Sequence, residues 1–279
     1  MKPAPFIYHR PTSLPEALAL LAGLPGDVRL LAGGQSLLPM LALRLAQPEQ
    51  LIDINRVEEL KGIRDDGDHV VIGALTRYSE ILESALIARE LPLLAEAVGH
   101  VAHHAIRNRG TIGGSLALAD PAAETVATCL ALKALIVARS VSEEREIAID
   151  SFLQSLMSTA LKDDEILSSI RIPKRRANVP HVFSEFARRR GDFAQAGLIV
   201  APAHAEVPEP RVVVFAAGSM AWRSSTLELA IKLGAGLTTK ARGGFAREIA
   251  DRVDEHALVD YKTCILTTLA ERAFMRLAQ

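Results

Sequence analysis

Ile106-Arg107-Asn108-Arg109-Gly110-Thr111-Ile112-Gly113-Gly114-Ser115 decides how this chain is read, because its glycine pair has a counterpart far upstream in Ala32-Gly33-Gly34-Gln35-Ser36. Each segment reads as a tight loop whose glycines let backbone N–H groups come close to an anion. One such pair reads as an ordinary turn that needs positive φ. Two of them, each adjoining apolar runs and each closed by a small hydroxyl side chain, suggest a pyrophosphate held from both sides by separate subdomains.

The spacing excludes the common nucleotide-binding loops. A Rossmann fingerprint requires G-x-G-x-x-G between a strand and a helix, with an acidic residue about 20 positions later, and neither loop complies. A Walker A loop is absent as well. A phosphate-bearing cofactor on some other fold is what remains.

With 279 residues, 49% of them hydrophobic, the chain can bury a sizeable core in two or three compact units. A net charge of -1 gives no electrostatic case for binding nucleic acid or an anionic membrane. Cys129 and Cys264 stand far apart without C-x-x-C, so neither zinc nor an iron–sulfur cluster has a ligand set, and no metal site is expected. The amino terminus lacks a signal-type apolar region, and no run reaches the roughly 18 apolar residues of a membrane span. The expectation is a soluble cytoplasmic protein.

Ser13 and Glu16 form an S-x-x-E capping box, which predicts a helix after a first short strand. A buried strand over Val28–Leu31 feeds the first loop, followed by a helix over 37–45 and a strand over 51–54. A second α/β segment starts at 69–72. One amphipathic helix is predicted over 86–100, and Asp120-Pro121 predicts a capped helix through 132. Strands follow over 133–138, 145–149 and 166–172. The basic, proline-bounded stretch 173–180 reads as a junction. Beyond it, strands over 181–189, 196–206 and 211–217 predict an antiparallel meander, with helices over 226–233, 245–256 and 260–277 covering one face. The class is α+β.

Other features have plain readings. His100, His103 and His104 lack a carboxylate partner in their pattern and read as satisfied or solvent-facing. Arg188-Arg189-Arg190 reads as a solvated face, and Trp222 as packing.

From one end to the other the chain resembles the FAD-binding medium subunits of molybdenum hydroxylases, the family of carbon monoxide dehydrogenase and the xanthine dehydrogenases. The resemblance rests on Phe6-Ile7-Tyr8-His9-Arg10-Pro11, the segments 31–39, 51–54 and 72–76, the block 106–115, Ala119-Asp120-Pro121-Ala122-Ala123-Glu124 and the segment 186–194. A departure is Gln35, where such subunits often carry histidine or asparagine. There is no cysteine-rich insertion of the kind that holds an extra cluster in some relatives.

The resemblance implies a two-subdomain FAD-binding domain of the vanillyl-alcohol-oxidase type over residues 1–175, divided near 56 and 57, and a C-terminal domain over 176–279 with an antiparallel sheet and helices. It implies that Ala32, Gly33, Gly34, Gln35 and Ser36 wrap one side of the pyrophosphate and that Thr111, Gly113, Gly114 and Ser115 supply the other. Glu124 would accept hydrogen bonds from cofactor hydroxyl groups. Leu167 would lie against the flavin ring, and Asp192 would shape its surroundings. No catalytic residue for substrate hydroxylation is expected in this chain. The molybdenum cofactor would sit in a large partner and [2Fe-2S] clusters in a small one, in a dimer of heterotrimers. The alternatives are a self-sufficient flavin oxidase or dehydrogenase and a flavin-free scaffold subunit.

Overall fold

A computed structural model describes residues 2–175, 179–204, 207–253 and 256–278. The chain begins with a three-stranded parallel sheet built from β1 (Ile7–His9), α1 (Leu14–Gly23), β2 (Val28–Leu31), α2 (Leu37–Ala42) and β3 (Gln50–Asp53), in the order β1-β3-β2. Parallel pairing requires a crossover after each strand, and the two helices supply it. The Ser13 hydroxyl accepts from the Glu16 N–H at 3.4 Å, while the Glu16 carboxylate takes the Thr12 N–H rather than that of Ser13. Only half of the expected box therefore forms. β2 lies at the sheet edge with no residue fully buried, against the expectation of a buried strand.

The second unit is a five-stranded antiparallel sheet. Its strands are β4 (Ile63–Asp66), β5 (His69–Gly73), β6 (Leu135–Arg139), β7 (Glu144–Ala148) and, after a short hairpin of β8 (Leu153–Ser155) and β9 (Ser158–Thr159), β10 (Ile166–Pro173). Their order is β4-β5-β10-β6-β7. Six helices lie between β5 and β6: α3 (Tyr78–Glu83), α4 (Ala85–Glu90), α5 (Pro92–His100), α6 (His104–Arg107), α7 (Ile112–Leu118) and α8 (Glu124–Ala131). A four-residue helix, α9 (Ile149–Phe152), follows β7.

Two helical expectations change here. The helix expected over 86–100 is broken at Leu91 (φ -136°, ψ 55°), because Pro92 has no N–H to continue the ladder and instead starts α5. The helix expected after Asp120-Pro121 begins only at Glu124. Asp120 spends its carboxylate on the Ala122 N–H at 2.8 Å, a local turn that displaces the cap. Every residue of α8 is buried.

The third unit is the antiparallel sheet β11 (Val182–Phe186), β12 (Ala196–Ala201), β13 (Arg211–Phe215) and β14 (Trp222–Arg223), followed by α10 (Ser225–Lys232), α11 (Thr239–Ala250) and α12 (His256–Leu277). β12 and β13 are buried throughout, so the sheet is covered on both faces. Leu198, Val200, Val212 and Val214 face the three helices. The alternate residues Ile199, Val213 and Phe215 enter the core of the second unit. Period-two alternation in one strand thus serves two cores. α11 starts earlier than expected, because the Thr238 hydroxyl caps the Ala241 N–H at 3.2 Å.

The junction 173–180 lies partly outside the described residues. Within it, Arg175 is 2% exposed, its backbone N–H bonds to the Glu90 carbonyl and its guanidinium to that of Pro202.

Candidate functional site

The two glycine loops meet. Gly33 lies so close to the second loop that a Cβ there would be 2.5 Å from the Arg109 carbonyl oxygen and 2.9 Å from the Gly110 Cα. Gly34 turns the chain at φ +72°, a conformation that side chains resist. The backbone N–H groups of Gly33, Gly34, Gln35 and Ser36 have no protein acceptor among the described residues. The Gln35 side-chain amide bonds back to the Gly33 carbonyl at 3.0 Å. Four successive unpaired donors on a glycine turn are the arrangement that suits an anion.

The second loop is built differently. Gly113 bonds its N–H to the Ala74 carbonyl at 2.9 Å, and a Cβ on it would lie 2.6 Å from that same oxygen. Gly114 donates to the Thr111 hydroxyl, the N-cap of α7, at 3.2 Å. Its open side faces Ala32, whose Cβ would be 3.6 Å from an added one. The Ser115 hydroxyl receives a hydrogen bond from Thr125 at 3.1 Å, and Thr125 also meets the buried Tyr78 hydroxyl at 3.1 Å. The amides of Gly113 and Gly114 are therefore committed within the chain, and this loop offers hydroxyls and close backbone approach.

Glu124 opens α8 beside this network. It is 7% exposed, and its carboxylate has no hydrogen-bonding side chain among the described residues. Burial pushes its pKa up to about 7, and the nearby Glu185 adds to the shift. A buried carboxyl beside a row of hydroxyls suits a ligand rich in hydroxyl donors. Leu167 is 5% exposed at an irregularity of β10, next to Ser168, whose carbonyl accepts from Ala74 N–H at 3.0 Å. It thus sits one strand residue away from the support of Gly113. Asp192 is exposed and lines an open depression of about 400 Å³ with Arg188, Phe193 and Gln195. Gly191 beside it packs on His103, just before α6.

Three residues escaped the sequence reading: Asp53, Asn55 and Arg77. Asn55 donates to the Ala32 carbonyl at 2.8 Å and to Asp53 at 2.6 Å. The Arg77 guanidinium bonds both the Asn55 side-chain oxygen and the Arg109 carbonyl. Burial alone would raise the Asp53 carboxyl, yet hydrogen bonds from Tyr8 at 2.5 Å and from Asn55 outweigh it and hold the group below its ordinary value. D-x-N at a strand end was the available signal, because such residues bond nearby backbone. Arg77 had none.

His100 is satisfied, as expected, by Glu185 at 2.9 Å. Trp222 packs, its indole N–H on the Ala217 carbonyl and Arg252 over its ring at 4.5 Å. No group of His, Cys, Asp and Glu suited to a metal is found among the described residues. No helix described is long and apolar enough to cross a membrane.

Four free donors in the first loop, a buried carboxyl at Glu124 and the hydroxyls of Thr111, Ser115 and Thr125 fit a dinucleotide with a pyrophosphate and a polyol. Comparison with known proteins agrees. Residues 4–175 match the family described as the FAD binding domain in molybdopterin dehydrogenase. The chain is 44% identical over 200 residues to the carbon monoxide dehydrogenase medium chain of Hydrogenophaga pseudoflava, covering 72% of this chain and 70% of that one. It is 36% identical to the 6-hydroxypseudooxynicotine dehydrogenase complex subunit alpha of Paenarthrobacter nicotinovorans, over 99% of this chain and 95% of the other. Among solved structures, carbon monoxide dehydrogenase from Hydrogenophaga pseudoflava lacking the Mo-pyranopterin moiety superposes with a TM-score of 0.90 at 38% identity. That match covers 99% of this chain and 98% of the other.

Proposed function

The chain belongs to the family of FAD-binding domains of molybdopterin dehydrogenases, as an oxidoreductase medium subunit, and from that premise we propose that it is where electrons leave a multi-subunit molybdenum hydroxylase. Bound FAD would supply the redox chemistry, a route for electrons between [2Fe-2S] clusters of a small partner and an external acceptor. A large partner holds the molybdenum cofactor at which substrate is hydroxylated, and two such heterotrimers pair in the cytoplasm. Support comes from end-to-end similarity to a carbon monoxide dehydrogenase chain and to a subunit of a dehydrogenase complex.

This chain's residues bind, orient and exclude water. The amides of Gly33, Gly34, Gln35 and Ser36 hold the pyrophosphate beside Ala32. Gly113 and Gly114 bring the second backbone close, and Thr111 and Ser115 add hydroxyls. Glu124 accepts from cofactor hydroxyls, Leu167 presents an apolar surface to the ring, and Asp192 sets its polar margin. In this reading residues 1–175 form the FAD-binding domain, with subdomains of about 1–56 and 57–175, and 176–279 form the C-terminal domain.

The observation that carries the reading is the run of four unpaired amides pressed against the second loop. The purified full chain is expected to show flavin absorbance and to release intact FAD on acid treatment. FMN alone, or no flavin after reconstitution with excess FAD, overturns it.

A further inference from the structure

Arg77 stands between the glycine loops without belonging to either. It precedes α3, and its backbone N–H is taken by the Glu80 carboxylate at 2.6 Å. Its side chain is left to bridge. One guanidinium nitrogen bonds the Asn55 side-chain oxygen, and the other bonds the Arg109 carbonyl. Asn55 in turn holds the carbonyls of Ala32 at 2.8 Å and Leu31 at 3.3 Å, the residues that lead into the first loop. The Arg109 carbonyl is the atom on which Gly33 closes, and among the described residues it receives no backbone donor. Both side-chain hydrogen bonds of Arg77 go to neutral oxygens, one in each subdomain.

We propose that Arg77 is a positioning residue that sets the separation of the two loops, and with it FAD affinity, through the path Ala32–Asn55–Arg77–Arg109. The proposal rests on the cradle reading above. Arginine suits the role because its planar fork offers donors in fixed, divergent directions, which a lysine ammonium lacks. The backbone already ties residues 76–78 to 110–112, through Tyr78 N–H to the Gly110 carbonyl at 3.2 Å and Ile112 N–H to that of Thr76 at 3.2 Å. The fold therefore survives loss of the side chain, and what changes is the loop spacing.

The test measures FAD dissociation constants by titrating the full-length apo-protein, with thermal unfolding of each apo variant alongside. Arg77→Ala and Asn55→Ala are each expected to weaken FAD roughly 10- to 100-fold, the range of a charged hydrogen bond. The double variant should lose scarcely more than either alone, because both cut one path. Arg77→Lys should recover part of the affinity. Guanidinium ion below denaturing concentration should restore binding to Arg77→Ala but not to Gly114→Val, a rescue that a generally loosened fold would not give. Parent-like affinity in Arg77→Ala, or additive losses in the double variant, overturns the proposal. If Arg77→Ala does not fold, Asn55→Ala decides alone, and parent-like affinity there overturns it equally. Should Gly114→Val also bind FAD normally, the cradle reading fails. Normal binding by Arg77→Ala beside loss in Gly114→Val removes only the bridge.

Discussion

Gly113 and Gly114 are neighbours that lack a side chain for different reasons. At Gly113 a Cβ would meet the Ala74 backbone, which cannot yield. At Gly114 it would meet the Thr111 hydroxyl at 2.8 Å and fill the gap toward Ala32. Gly113→Ala is therefore expected to destabilise the apo-protein by about 1–3 kcal/mol, whereas Gly114→Val leaves the apo fold largely intact and abolishes tight FAD binding. Denaturant melts and FAD titrations of both check this, and equal stability losses would contradict it. Glu124 makes a pH prediction. Its folded pKa of about 7 exceeds the unfolded value, so its stability contribution is complete below the unfolded pKa and is lost as pH rises through the folded one. Apo Glu124→Gln should gain stability relative to the parent between about pH 5 and about pH 8, by roughly 3 kcal/mol at most. A difference that stays flat across that window would show that the carboxyl titrates normally.

Among the elements, the seam between α5 and β11 is the most informative. Glu96 and His100 stand one turn apart on α5, and their partners are His181 at 3.2 Å, just before β11, and Glu185 at 2.9 Å within it. Each side contributes one acid and one histidine. His100 also rests on the Phe183 ring at 4.8 Å. The hydrogen bond that His100 donates to Glu185 comes first among the causes that raise the His100 pKa, with Glu96 and Glu124 adding to it and burial opposing. Its contribution is therefore full below the unfolded value and lost as pH rises through the raised one. Because His100 is 42% exposed, about 1 kcal/mol or less is expected. Urea midpoints of parent and His100→Gln should differ most in mild acid and converge in mild base. A gap independent of pH would assign the stabilisation to packing on Phe183.

For the whole molecule, the third sheet is wedged between its own helices and the α5–α8 layer, which makes the C-terminal unit part of the wall behind Glu124 rather than an appendage. In the proposed scheme this chain receives its electrons from partner subunits. Co-expression with genomic neighbours is expected to yield a complex of three different subunits, paired two-fold. Substrate should bleach its flavin only when the small subunit is present. Flavin reduction by substrate at the same rate in the isolated chain would instead mark a self-sufficient oxidoreductase.

The glycine pairs, the block 106–115 and the strands of the C-terminal meander were legible in the sequence because they are local. Positive φ, close backbone approach and short apolar strand runs each leave a mark within a few residues. The same locality explains the errors at Pro92 and Asp120, where a missing donor and a competing side-chain bond moved helix ends that pattern alone had placed. What the sequence by itself determined was the α+β class, the family and the two loops. Only the tertiary structure decided that Gly33 closes on the Arg109 carbonyl, that the second loop spends its amides internally, and that Asn55 and Arg77 join the two. Those contacts link residues far apart in the chain, and their partners are backbone carbonyls, which every residue carries and no sequence pattern distinguishes.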